Sequence, residues 1–181
     1  PWSTGKVGMC GTSYVGATQW LSAITKPPHL AAIAPNVTAS NYHDGWTYQG
    51  GAFELGFNVS WTMLQLTLAN FKTIASGKSV PTDSREKLIK AVDSMQDSFR
   101  ESPVKEFPFL KGGLADYFYD WVAHPDYDDY WKELCIEDHH GDVTAPALNI
   151  GGWYDIFLGG TLRNYMGMSK NGGSEEARKG Q

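Results

Sequence analysis

The sequence predicts an α/β fold in which parallel strands with flanking helices are interrupted by a helical insertion. Three observations predict it. The chain opens with an apolar run, a tight glycine-bearing turn, a helical segment and a second apolar run, the order of a parallel strand–helix–strand unit. From about Ala39 to Val143 the patterns are helical and no clear strand is found. A buried-strand pattern then returns at Ala145–Gly152, followed by another helical stretch.

Taken in order, "KVGMC" (6–10) reads as a short buried strand, weakened by Gly8. "SYVGATQWLSAI" (13–24) has helical composition, and Pro27 and Pro28 bar its continuation. "HLAAIAPNV" (29–37) reads as the second buried strand. In the middle, Phe53, Phe57, Met63 or Leu64, Leu68 and Phe71 recur at helical spacing. A Thr82-Asp83-Ser84 cap region precedes a helix that places Leu88, Val92, Met95 and Phe99 on one face. "LADYFYDWVAHP" and "DYDDYWKELC" are two further helix candidates, and Phe157 to about Ser169 is the last. The expected organisation is a core part at 1–38, a helical cap insertion at 39–143 and a second core part at 144–181.

Composition excludes several function classes. The formal net charge is −5, so no basic footprint for nucleic acid exists. No apolar run approaches the roughly 20 residues that span a bilayer. Seven Trp, nine Tyr and eight Phe suit either an aromatic-walled pocket or large core residues. Cys10 and Cys135 alone make no disulfide framework, and Cys10, inside the apolar run, reads as a small core residue. The opening "PWSTGKVG" and the polar tail "SKNGGSEEARKGQ", which reads as a surface loop, suggest a piece of a longer protein. Localisation cannot be read from a piece.

Chemistry concentrates at Ser13. The segment Gly11-Thr12-Ser13-Tyr14-Val15-Gly16 resembles the Gly-x-Ser-x-Gly elbow, with the second glycine displaced by one residue. A serine on a sharp strand-to-helix turn presents its hydroxyl at the carboxyl end of the strand. Small residues at Gly11, Gly16 and Ala17 let the helix approach the strand. The backbone N–H of Tyr14 would then face a developing oxyanion. The competing reading is that Ser13 caps a helix.

Asp155, in "GGWYDIF" directly after the strand "ALNI", suits a triad acid, which follows the nucleophile in chain order and sits at a strand's carboxyl end. It could equally cap the helix that follows. The five histidines, His29, His43, His124, His139 and His140, all precede Asp155, so none fits the expected order of the base. His139 and His140 lie with Glu137, Asp138 and Asp142, but adjacent side chains diverge and no helical His spacing exists. That stretch reads as a solvated polar loop.

Three segments in order, "PWSTGKVGMCGTSYVGATQW", "HPDYDDYWKE" and "GGWYDIFLGGTLRNY", resemble the cocaine esterase and X-prolyl dipeptidyl aminopeptidase group, the CocE/NonD hydrolases. "DGWTYQGGAFELGF" (44–57) is similar to that family's cap entrance. The resemblance implies a partial α/β-hydrolase core interrupted by a helical cap, with Ser13 as nucleophile, Asp155 as triad acid and Tyr14 N–H as one oxyanion donor. It places the triad His beyond Gln181, and a second oxyanion donor (a tyrosine hydroxyl) upstream of Pro1. Trp46, Trp153 and Phe157 become candidates for the acyl pocket, Phe157 the strongest by position. The implied reaction is acyl transfer through a serine ester on a small-molecule ester, amide or peptide, without cofactor or metal. X-Pro dipeptide release and amino-acid ester hydrolysis share this core; either would need a carboxylate for the α-ammonium, with Asp44, Glu54 and Asp116 available. A non-catalytic scaffold is the alternative of another class.

Overall fold

The structure, a computed structural model, describes residues 2–181. By internal contacts it divides into two compact units, Pro1–Gly50 with Tyr127–Gln181, and Gly51–Asp126. These bounds differ from the expected ones. Residues 39–50 and 127–143 group with the strands, because the Ile136 N–H donates to the Ser40 carbonyl and Arg163 reaches both Glu137 and Asp44.

In the strand-bearing unit, β1 (Val7–Thr12) leads into α1 (Tyr14–Ala23) and then β2 (Leu30–Asn36), which pairs with β1 in parallel. The pairing slips between Val7 and Gly8, where the missing side chain weakens the strand. The expected third strand is present only as two parallel bridges, Ile33 with Ala147 and Asn36 with Ile150. Pro35 explains the interruption. On this edge Ile33 N–H donates to Pro146 at 3.0 Å and Val37 N–H to Ile150 at 2.7 Å. Pro35, lying between them, has no N–H to give.

Trp20 and Ala23 of α1, Ile33, Ile136, Val143, Ala147 and Met168 form the core of this unit. Each large apolar side chain so buried contributes roughly 1.5–3 kcal/mol. Met9 packs against this core. Its neighbour Cys10 therefore points to the opposite face and is exposed, not the core residue expected. The last long helix, running from Leu158 to Asn171, approaches the 38–40 segment closely: a Cβ at Gly160 would lie 2.7 Å from the Ser40 nitrogen. The polar tail is likewise not a loop throughout. Glu175–Lys179 forms a short helix capped by the Ser174 hydroxyl, which accepts from Ala177 N–H, and Ala177 is fully buried.

The unit Gly51–Asp126 is mostly helical. Leu55–Ser60 continues into a π-helix at Trp61–Leu68, followed by helices at Phe71–Ala75, Ser84–Asp93, Met95–Ser98 and Asp116–Ala123. Val59, Met63, Leu88, Phe107, Leu110 and Phe118 fill its core. Met63 is buried while Leu64 is 46% exposed, and Ala69 N–H donates to the Leu64 carbonyl five residues back, the hydrogen bond of a π-helix. Leu88 is buried, and Val92, Met95 and Phe99 pack against the same core as expected. The helix breaks at Ser94, whose hydroxyl donates to the Lys90 carbonyl in competition with the backbone. Among the described residues, no helix is long and apolar enough to cross a membrane.

Candidate active site

Ser13 occupies the turn between β1 and α1 with φ 58° and ψ −122°, a conformation costly for a residue with a side chain. It holds the N-cap position, yet its side chain makes no capping hydrogen bond. The helix-cap reading therefore lacks the interaction that would justify it. The turn is held by its backbone. Ser13 N–H donates to the Asn36 carbonyl at 2.8 Å, and the Ser13 carbonyl accepts from Gly16 and Ala17 N–H.

The displaced glycine has a clear physical reason. A Cβ at Gly16 would stand 3.1 Å from the Thr38 side chain and 3.2 Å from the Asn36 carbonyl oxygen. A Cβ at Gly11 (φ 150°) would lie 2.5 Å from Val15 Cγ1. The elbow thus needs small residues at 11 and 16, and at position 15 Val15 is accommodated, 52% exposed. Tyr14 begins α1, which puts its backbone N–H in the first turn, where helix N–H groups lack intrahelical acceptors.

Gln19 braces this turn and was not singled out by sequence reasoning. It is fully buried. Its Nε2 donates to the Gly11 and Val15 carbonyls, both at 3.1 Å, and its Oε1 accepts from Ala34 N–H at 3.0 Å. One side chain ties β1, α1 and β2 together. The available signal was a polar residue directly beside Trp20 on the buried face of a helix.

Asp155 lies beyond the Ile150 bridge, so the parallel order of the strands puts the Ser13 and Asp155 turns at the same, carboxyl end of the sheet, where ligand sites of such sheets are found. The helix that follows is capped at Phe157 without a side-chain bond, so Asp155 is not its cap. Two backbone hydrogen bonds help hold the turn: Asp155 N–H donates to Gly152 at 3.0 Å, and Leu158 N–H donates to the Asp155 carbonyl at 3.2 Å. Asp155 Oδ2 is buried and has no hydrogen-bond partner among the described residues. A buried carboxylate oxygen left so is costly.

Of the expected pocket residues, Trp46 and Phe157 come together. Both are buried, and their rings stack at 4.6 Å with 19° between planes. Trp153 stands in a different setting. It is 89% exposed and lines a groove of about 330 Å³ with Asn149, Gly151, Leu158, Thr161, Leu162 and Tyr165. The Asp44 carboxylate accepts from Gly50 N–H at 3.1 Å.

Residues 1–180 match the family of X-Pro dipeptidyl-peptidases, the S15 family. The chain belongs to that family. It is 31% identical over 174 residues to the cocaine esterase of Rhodococcus sp. (strain MB1 Bresler), covering 94% of this chain and 30% of the esterase. This S15 chain therefore spans less than a third of that relative. A CocE/NonD family hydrolase from Staphylococcus aureus superposes with a TM-score of 0.59 at 22% identity, over 96% of this chain and 24% of that one. An aminopeptidase from the marine sediment archaeon Thaumarchaeota archaeon gives 0.58 at 20% identity, over 94% and 27%. These two structures establish the α/β fold of the CocE/NonD hydrolases for the S15 chain.

The histidines of this S15 chain are placed as follows. His43 is buried and stacks on Tyr48 at 4.8 Å, with Trp131 edge-on at 5.5 Å. His139 lies 3.1 Å from the Asp142 carboxylate. His140, against the expectation of a solvated loop, is buried, with Nε2 3.0 Å from Asn164 Oδ1.

Proposed function

We propose that this chain supplies the nucleophile and the acid of a serine hydrolase that cleaves esters by acyl transfer. One observation carries the reading: Ser13 sits in a strained turn at a sheet's carboxyl end, and its hydroxyl does not serve the helix it precedes. Strain of this kind gathers at functional sites. Asp155, with a buried oxygen that accepts no hydrogen bond among the described residues, suits the partner of an imidazole N–H.

In this mechanism the Ser13 oxygen attacks the ester carbonyl carbon while a histidine takes its proton. Tyr14 N–H stabilises the oxyanion. The alkoxide leaves with the proton returned by the histidine, and water then cleaves the serine ester. Asp155 orients the histidine and offsets its charge. In this proposal the histidine follows Asp155 in chain order, as the Ser, Asp, His order of α/β-hydrolases supports. The stacked Trp46–Phe157 pair forms one wall of the acyl pocket and favours an aromatic acyl group. The cap role of the helical segment belongs to the same proposal.

The test is a fluorophosphonate probe on the complete protein, followed by peptide mapping. Labelling at Ser13 is expected. A folded protein that leaves Ser13 unlabelled would overturn the assignment. Faster turnover of an X-Pro anilide than of aryl esters would replace the ester reading with peptide release.

A further inference from the structure

The Trp46–Phe157 pair joins two segments far apart in sequence, and what holds them in register is not in either aromatic ring. Trp46 lies on the 41–50 segment, and Phe157 immediately precedes the Leu158–Asn171 helix. One side chain of that helix reaches back to the other segment. Arg163 Nη2 donates to the Asp44 carbonyl at 3.4 Å, two residues before Trp46. Its Nε donates to Glu137 Oε1 at 2.6 Å. The same Glu137 oxygen accepts from the Ser40 hydroxyl, and Ser40 is fully buried at the head of the 41–50 segment.

The guanidinium lies in a slot made by two glycines. A Cβ at Gly45 would lie 3.2 Å from Arg163 Nη2, and one at Gly159 3.2 Å from Nη1. Gly45 also has φ 100°, a conformation that side chains disfavour. The glycine preceding Trp46 and the glycine two residues after Phe157 thus flank one planar cation. Arginine suits such a slot, because its rigid fork serves two acceptors in different directions at once.

We infer that Arg163 is a specificity-positioning residue. Anchored by Glu137, it fixes the backbone at Asp44–Gly45 against the first turn of the helix, and so sets how Trp46 lies over Phe157. It touches no reacting atom. The inference rests on the proposed reading that this pair faces the acyl group. Without the clamp the two aromatic segments lose their register, and the acyl pocket loses its preference for a flat ring.

The experiment compares wild type, Arg163→Met, Arg163→Lys, Glu137→Gln and Phe157→Ala in the complete protein, with the benzoyl-to-acetyl ratio of kcat/KM for matched aryl esters as readout. Arg163→Met should lower that ratio about tenfold, the scale of one mis-set contact in an apolar pocket. Arg163→Lys should restore part of it, since an ammonium keeps the charge but not the fork. Glu137→Gln should move the ratio in the same direction by less, and it decides the matter if Arg163→Met does not fold. A fall in thermal stability with both esters slowed equally would show a merely structural residue and overturn the inference. A ratio shifted by Phe157→Ala but unchanged in the Arg163 and Glu137 variants would overturn the positioning role alone. A ratio unchanged in all variants would overturn the acyl-wall reading as well.

Discussion

The turn at Ser13 and the turn at Asp155 follow parallel strands at the same end of the sheet but are built in opposite ways. The first is locked by its immediate surroundings. Ser13 N–H is bonded to Asn36, Gly16 lies against Thr38, and Gln19 bridges β1, α1 and β2 from a fully buried position. The second carries two backbone hydrogen bonds and the stacked Phe157 ring, is flanked by an exposed Trp153, and holds a buried carboxylate oxygen that has no hydrogen-bond partner among the described residues. On the proposed reading the contrast has a reason: a nucleophile would have to keep one strained geometry throughout the reaction, so local and redundant support suits it, and an acid that orients another side chain would complete its hydrogen bonding through that side chain.

The comparison can be broken most decisively at the nucleophile. In the complete protein, Ser13→Ala is expected to lower kcat by on the order of 10⁶ while the circular dichroism spectrum stays unchanged. Near-normal turnover in that purified variant would remove Ser13 from the chemistry. Next in size is Asp155→Asn, expected to lower kcat about 10⁴-fold with KM little changed, by analogy with other triads. Retained activity would mean that Asp155 serves only its own turn.

The architectural half of the contrast is tested by stability. Gln19→Ala removes three hydrogen bonds from a buried site and orphans the Ala34 N–H. It should cost about 2–4 kcal/mol in denaturant unfolding and slow fluorophosphonate labelling of Ser13. Trp153→Ala, in the other turn, should change stability by no more than about 0.5 kcal/mol, because the ring is already in water. Equal losses in the two variants would erase the distinction.

The smallest expected effect is electrostatic and lies outside both turns. Lys26, and after it His139, hold the Asp142 carboxyl below the usual carboxylate range. A lowered folded pKa contributes stability above the unfolded value of about 3.9 and loses it as pH falls through the folded pKa. Asp142→Asn should therefore remove a small contribution that is present at neutral pH and absent at low pH, so the variant is slightly less stable at neutral pH, its acid limb is flatter, and the two stability–pH curves converge below about pH 4. An unchanged acid limb would mean that the Lys26 contact is not maintained in solution.

Much of the first turn was legible because its signals are contiguous. An apolar run, a small-residue turn, a helix and two prolines lie within some thirty residues, and the structure places β1, α1 and β2 within a residue or two of expectation. The position of Asp155, in a turn after a strand-like segment, was legible from the apolar run that precedes it. Gln19 was not, since a lone polar residue in a helix ordinarily reads as its solvated side. The pairing of Arg163 with Glu137 was also hidden, because 26 residues separate the partners and each is an unremarkable charge by itself. The π-helix at Trp61–Leu68 escaped for another reason: its apolar content matches an α-helix, and the altered pitch shows in the backbone, where Ala69 N–H donates to the Leu64 carbonyl five residues back. The third strand read as continuous in sequence, but what interrupts its ladder lies in another strand, at Pro35.

Val37, the residue after β2, has φ 43°, a value that a β-branched side chain takes only under compulsion. The compulsion is visible: its N–H donates to Ile150 at 2.7 Å, and the next residue, Thr38, is buried with its carbonyl accepting from Thr161. For protein engineering this residue is an untapped reserve of thermal tolerance. Glycine would relieve the strain but widen the unfolded ensemble, so the two effects would largely cancel. Asparagine accepts the left-handed backbone without that added freedom, which makes Val37→Asn the natural first substitution for a hardier variant that leaves Ser13 and Asp155 untouched.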